Sequence, residues 1–177
     1  PILKEIKRVS GGMDLIDLSG LTIGETLLRV HSLPPDTIVF YTSIFRDKGG
    51  MTFHPPDALR LVSQASNAPV FGFVETHLGK GIVGGTVAGL QWQIDKLAEL
   101  TQRVLSGEPP AKIPIVEEAG YKTIYDWKEL KRWGIPESSL PKGSIFINRE
   151  ASIFVRYKPY IIATFAFFIM QTFLIGF

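Results

Sequence analysis

The feature that most restricts the folds open to this chain is an uncharged, strongly apolar run at residues 160–177. As a helix, 18 residues at ~1.5 Å each span roughly 27 Å, which is close to the hydrocarbon thickness of a bilayer. A buried C-terminal core helix is the alternative, but such a helix usually keeps one polar stripe. Here Thr164, Gln171 and Thr172 do not form a continuous face. The run therefore predicts a transmembrane helix at 160–177, preceded by a juxtamembrane segment at 149–159.

Composition excludes several classes of function for the rest of the chain. The absence of cysteine rules out a disulfide scaffold, a thiolate zinc site and a cysteine nucleophile. The net charge of +2 comes from 19 basic and 17 acidic residues that are well mixed, so no nucleic-acid surface is predicted. No catalytic triad, phosphate-binding loop or close carboxylate pair is present, so we expect no catalytic residue and no cofactor.

Strands and helices alternate over the first half of the chain. A capping box, Thr22-x-x-Glu25, opens one predicted helix, and Pro55-Pro56-Asp57 opens the next. The residues around them predict strands at 13–18, 37–42 and 69–74. This order is typical of an α/β fold with a doubly wound parallel sheet and right-handed crossovers.

The pattern changes after a glycine-rich turn at residues 79–85. The turn is predicted to lead directly into a long helix at 86–105, after which only short extended pieces follow, at 113–116, 121–125 and 144–147. A second capping box, Asp126-x-x-Glu129, opens a brief helix between the last two of them.

The glycine turn matches the G-x-G-x-x-G pattern of dinucleotide-binding proteins, from Gly79 to Gly84. Four residues separate it from the preceding strand, and no acidic residue ends a strand about 20 residues further on. A nucleotide-dependent enzyme is thus one hypothesis, and a tight turn that brings a helix close to a ligand or a facing lobe is the other.

Polar loops follow two neighbouring predicted strands at their carboxyl ends, where open α/β sheets bind ligands. In the first loop, Arg46 offers a guanidinium fork to a carboxylate or phosphate, and Phe45 offers an apolar wall. Asp47 and Glu75 provide carboxylates for an amine or hydroxyl. A solvated loop with an Arg46–Asp47 ion pair is the alternative. Glu75-x-His77 has metal-ligand spacing but no third ligand nearby, so no metal site is predicted.

In sequence order, five stretches resemble the second half of a type I periplasmic-binding-protein-like domain. This kind of domain occurs in ABC-transporter substrate-binding proteins and is fused to bacterial sensor histidine kinases. The stretches are LPPDTIVFY at 33–41, SNAPVFG at 66–72, GIVGG at 81–85, RVLSGEPP at 103–110 and YDWKELKRWGI at 125–135. The resemblance covers nearly the whole chain, and the order of the stretches is more specific than any one of them.

In that family two α/β lobes close on a small molecule. The resemblance implies that residues 1–110 form the second lobe and that residues 111–148 return toward a first lobe, expected before residue 1. It also implies a small polar ligand, amino-acid-like or another small metabolite. The ligand-contacting residues carried over from the family are Phe45, Arg46, Asp47, Glu75, Thr76, His77 and Gly81.

Together with the predicted span, the resemblance favours a sensor domain anchored in the bacterial inner membrane, with its ligand-binding part periplasmic or extracellular. Lobe closure would then pass through the membrane helix to a cytoplasmic module, for which a histidine kinase is expected. The expected partners are the ligand, the lipid bilayer, the first lobe and a second copy paired through the membrane helix. A substrate-binding component of an ABC importer is the alternative.

Overall fold

The computed structural model describes residue 8, residues 11–116 and 120–150, residue 157, and residues 160–164 and 171–172. The chain divides into two compact units, Pro1–Ile147 and Asn148–Phe177. All the helices and strands named below belong to the first unit. In the second, residues 160–164 and 171–172 are helical.

Two amphipathic helices cover one side of the first unit. Helix α1 spans Ile23–His31 and begins at the predicted capping box, in which the Thr22 hydroxyl accepts from the Glu25 amide and the Glu25 carboxylate accepts from the Thr22 amide. Helix α2 spans Pro55–Ala65, with proline in its first turn as predicted. Both helices therefore begin where local sequence chemistry indicates.

The strands form two small sheets. Strand β1 (Val39–Phe40) pairs in parallel with β2 (Val70–Phe71). Strand β3 (Gly84–Ala88) runs antiparallel to β4 (Tyr121–Asp126), and β4 runs parallel to β5 (Ile145–Ile147).

Backbone hydrogen bonds connect the two sheets. The Val83 amide donates to the Val70 carbonyl at 2.7 Å, and the Ala88 amide donates to the Phe73 carbonyl at 3.2 Å. The segment around β2 therefore lies beside β3, although the two share only an isolated parallel bridge between Val74 and Ala88.

The first unit also contains two further helices and three short 3₁₀ turns. Helix α3 spans Leu90–Leu105, and helix α4 spans Trp127–Arg132 and is capped by Asp126. The 3₁₀ turns span Glu75–His77, Pro110–Lys112 and Glu137–Ser139.

Two hydrophobic clusters hold these elements together. The larger lies between α1, α2 and the parallel strands, and its fully buried members include Val30, Leu59 and Val70. The smaller is built from Val83, Tyr125 and Leu130, beneath α4. The parallel pair and the mixed sheet thus each have a core of their own.

The predicted doubly wound parallel sheet is wrong. The structure has a two-stranded parallel sheet and a three-stranded mixed sheet, because β3 occupies the start of the predicted 86–105 helix and pairs antiparallel with β4. Residues 13–18 were predicted to be a strand and have no regular structure. The glycines that indicated a turn allow two backbones to approach closely instead, as Gly84 does opposite Tyr125.

The predicted transmembrane helix is also corrected. Within 160–177 the structure describes 160–164 and 171–172, and the rest of the predicted span lies outside the described residues. Across those parts of the chain that are described, no helix combines the length and apolar character needed to cross a bilayer. Apolar composition predicted the span, but it does not establish the long continuous helix that a span requires. The prediction of an inner-membrane location is withdrawn with it.

Candidate functional site

The loops that follow β1 and β2 lie at one edge of the parallel sheet. The Tyr41 amide donates to the Phe71 carbonyl at 2.8 Å, which extends the strand pairing to the point where both loops begin. The Tyr41 ring meets the His77 ring edge-on, with 5.2 Å between centroids. The structure therefore places His77 of the second loop against the strand end at which the first loop begins.

The first loop is a small hairpin held by the Asp47 carboxylate. Its Oδ1 accepts from the Met51 amide at 2.8 Å, across the hairpin, and its Oδ2 accepts from the Ile23 amide at 2.9 Å, at the first residue of α1. These backbone hydrogen bonds, that of Ile23 above all, lower the pKa of Asp47. Both oxygens are engaged, so Asp47 anchors the loop instead of facing a ligand.

Glu75 has a similar structural task in the second loop. Its Oε2 accepts from the Leu90 amide at 2.6 Å, at the first residue of α3. The residue in the N-cap position is Gly89, which has no side chain to cap the helix. Glu75 therefore supplies the missing cap from a separate loop, where its charge also suits the positive end of the helix.

His77 is buried under the same edge. Its side chain is 2% exposed, and its Nδ1 has no hydrogen-bond partner in the structure as described. Burial lowers the pKa of His77, because the charged imidazolium would lose its hydration there. The residue is a neutral core histidine, packed against Tyr41, and it offers no surface to a ligand.

We expect stability to fall as the pH drops through the range in which His77 titrates. The pKa of His77 is lower in the folded than in the unfolded chain, so the unfolded chain takes up the proton first as the pH falls. The contribution of neutral His77 to the stability of the fold is therefore complete only above about pH 6.5. Melting temperatures measured from about pH 8 to 5 should decline for the native chain and decline less for His77→Leu. An equal decline in both proteins would contradict this assignment.

Gly81 is required for packing. Its carbonyl accepts from the Ser63 hydroxyl at 2.9 Å, its φ is +117°, and a Cβ at this position would collide with the Ser63 side chain. Arg132 of α4 donates to the Ser63 carbonyl at 3.0 Å, which ties a third element to the same point. The family resemblance implied that Gly81 contacts the ligand. That prediction is not supported by the contacts that Gly81 makes.

Three of the predicted ligand-contacting residues have exposed side chains. Phe45 is 67% exposed, and Arg46 and Thr76 are exposed without a side-chain hydrogen bond or ion pair to any described residue. The predicted alternative, an Arg46–Asp47 ion pair, does not form. With Asp47 and Glu75 bound to backbone amides, Arg46 is the charged side chain of the predicted set that remains free to meet a ligand.

Sequence reasoning missed one aromatic pair. The rings of Phe40 and Phe73 stack with 5.8 Å between centroids and remain 50% and 39% exposed. The segments that contain them, 37–42 and 69–74, were predicted to be strands, and neither ring was assigned a role. The structure buries Val39 and exposes Phe40, and the uniformly apolar segment 38–40 carries no sequence signal of that difference.

The glycine turn does not have the geometry of a dinucleotide site. Residues 79–83 lead into β3, and the next helix begins only at Leu90, so no helix N-terminus follows the glycines directly. Within the described residues, no group of three His, Asp or Glu side chains is placed to hold a metal ion.

A groove of about 610 Å³ lies at the opposite, amino-terminal end of β1 and β2. Prolines and apolar side chains form most of its wall, together with Asp36 and Asn67. The Asn67 amide group is already bonded to the backbone of Leu33 in both directions. The groove is therefore separate from the predicted site.

Comparisons with known proteins identify a fold relative and no family. No protein-family model and no curated protein matches the chain. The chain is similar to the crystal structure of a conserved domain protein from Vibrio cholerae O1 biovar El Tor, with a TM-score of 0.59 and 16% identity over 81% of this chain. It spans about half of that protein, 48% of its length. At this identity the likeness concerns the fold alone.

Proposed function

We propose that the chain is one lobe of a two-lobed binding protein that captures a small polar molecule through an anionic group. The observation that carries this proposal is the Arg46 side chain, exposed and unpaired among the described residues, in the loop that follows β1. In α/β proteins, ligands commonly bind in the loops at the carboxyl ends of parallel strands.

The free side chains suit such a ligand. A guanidinium binds a carboxylate or phosphate with two parallel hydrogen bonds. Phe45 adds an exposed apolar surface one residue away, and Thr76 adds a hydroxyl on the neighbouring loop. An amino-acid-like ligand would therefore present its carboxylate to Arg46. Its amine would have to be recognised elsewhere, because both oxygens of Asp47 are already bonded.

The two-lobed arrangement is supported by the order of the motifs, which is that of the second lobe in the family they resemble. The preference for a signalling role over a transport role depended on the predicted membrane helix. Because that helix prediction is wrong, we limit the proposal to ligand capture, which the signalling and transport roles share.

A binding screen tests the proposal. The chain would be screened by thermal shift against amino acids, dicarboxylates, phosphate esters and neutral sugars. A ligand at about 100 times its dissociation constant stabilises the fold by roughly 2.7 kcal/mol, which such a screen detects. We expect the hits to carry an anionic group, whereas hits restricted to neutral sugars would contradict the proposal.

Binding of each hit should then depend on Arg46. We expect Arg46→Ala to weaken binding by about ten- to a hundredfold, the loss typical of a hydrogen bond to a charged group. Lys48→Ala is the matched control, because it removes a positive charge from an exposed residue of the same hairpin. Isothermal titration calorimetry would measure both variants. Equal affinity of Arg46→Ala and the native chain would overturn the assignment.

A further inference from the structure

Helix α3 carries its apolar side chains on the outside. It is 16 residues long, and none of its residues is buried. Four of its side chains are half-buried, and two of these are charged: Trp92, Lys96, Leu100 and Arg103. Trp92 packs over Gly120, where a Cβ would collide with the indole. The apolar stripe of α3 is thus left exposed, whereas an amphipathic helix usually turns its apolar face inward.

The outward residues follow heptad spacing. Steps of four, three, four and three residues separate the members of what we call the α3 seam: Leu90, Ile94, Leu97, Thr101 and Val104. Four of them are large apolar residues between 43% and 66% exposed, and neighbouring Leu105 is 82% exposed. The same spacing lines the contact between paired helices in coiled coils.

Charged residues of α3 lie away from the seam, where they form ion pairs and hydrogen bonds. Lys96 pairs with Glu99 at 2.6 Å, Arg103 pairs with Glu108 at 2.7 Å, and Asp95 accepts from Gln91 at 2.8 Å. The residues at the edges of the seam carry no charge: Gln91, Gln93, Ala98, Leu100 and Leu105. Two identical seams can therefore meet without repulsion between like charges, and small Ala98 lets the helices approach closely.

We propose that the α3 seam is a dimer interface, occupied by α3 of a second copy of this chain in antiparallel orientation. Leu90 and Val104 lie seven residues on either side of Leu97, so a two-fold axis at Leu97 sets Leu97 against its own copy and Leu90 against Val104. Ile94 and Thr101, three residues before and four residues after Leu97, then meet with an offset of one residue, and the two helix dipoles run in opposite directions. A partner of another kind would normally be selected by charges at the edges of the seam, and these edges have none.

The size of the seam sets the expected affinity of the dimer. A 16-residue helix is about 24 Å long, so a single pair of helices buries on the order of 1,000 Å² in total, less than the ~1,200–2,000 Å² of a standard stable interface. We therefore expect a reversible dimer with a dissociation constant on the order of micromolar.

Sedimentation velocity on the full 177-residue chain tests the proposal. The native chain should shift from monomer to dimer across the micromolar range, and Leu97→Glu should weaken the dimer at least about tenfold, because it buries two carboxylates against each other. Leu28→Glu is the matched control, since it makes the same change at a helix position that is 74% exposed on α1. A native chain that stays monomeric, or a Leu97→Glu variant that dimerises as the native chain does, would overturn the proposal.

A cross-link locates the contact directly. Because the chain has no cysteine, Leu97→Cys introduces a single thiol, which should form a disulfide-linked dimer under mild oxidation. Leu28→Cys should remain largely monomeric under the same conditions. Equal rates of cross-linking for the two variants would show that the seam is not the interface.

Discussion

Replacing Gly84 by alanine is expected to destabilise the fold by about 3 kcal/mol or more, enough to unfold much of a marginally stable domain. Gly84 lies opposite Tyr125 at the start of the β3–β4 pairing. A Cβ at this position would collide with the Ile124 carbonyl oxygen and lie 2.7 Å from the Tyr125 Cα. Both are backbone atoms, which cannot move aside as a side chain can, and the φ of +124° adds strain for any L-residue.

Urea unfolding of Gly84→Ala, followed by circular dichroism, measures this loss. Gly24→Ala is the matched control, because Gly24 lies in α1 and a Cβ there meets nothing within 4 Å. The control should be neutral or stabilising by up to about 1 kcal/mol, as alanine favours the helix. A Gly84→Ala protein with native stability would mean that β3 and β4 do not pair in this register.

Truncating Leu130 to alanine is expected to cost about 3 kcal/mol. Leu130 is 1% exposed and is the buried residue of the short helix α4. It packs with Val83 and Tyr125, so its removal leaves a cavity between α4 and the mixed sheet. A helix of six residues has little stability of its own and depends on this contact.

Tryptophan fluorescence is a suitable probe for this variant, because Trp133 packs against the same cluster. The midpoint of urea unfolding should fall for Leu130→Ala. It should change little for Leu28→Ala, which removes the same atoms from a side chain that is 74% exposed. Similar losses in both variants would indicate that the small cluster does not stabilise the fold.

The helices were the most predictable part of the fold, because their start signals are local. Thr22 and Glu25 cap each other within a single turn, and Pro55 fits the first turn of α2 without any tertiary contact. Strand β3 was mispredicted for the opposite reason. Whether Gly84 and Gly85 form a turn or a strand is decided by β4, about 40 residues away, and no local pattern contains that pairing.

In the candidate site, too, some features follow from local sequence and others depend on residues far along the chain. That its two loops start at the same edge of the sheet could be predicted, because the carboxyl ends of neighbouring parallel strands lie together. The roles of its acidic residues could not, since Asp47 accepts from an amide 24 residues earlier and Glu75 from one 15 residues later. Only the folded chain distinguishes a carboxylate that caps a distant helix from one that faces a ligand.

Those two carboxylates hold the shape of the candidate site, and the proposed ligand contacts are left to the side chains that remain free. Asp47 and Glu75 fasten each loop to the start of a helix, whereas Phe45, Arg46 and Thr76 remain free. The loops are thus preorganised, and little conformational entropy is lost in ordering them when a ligand binds. Under the proposed function, ligand preference would therefore be changed at positions 45, 46 and 76, with 47 and 75 kept to hold the backbone in place.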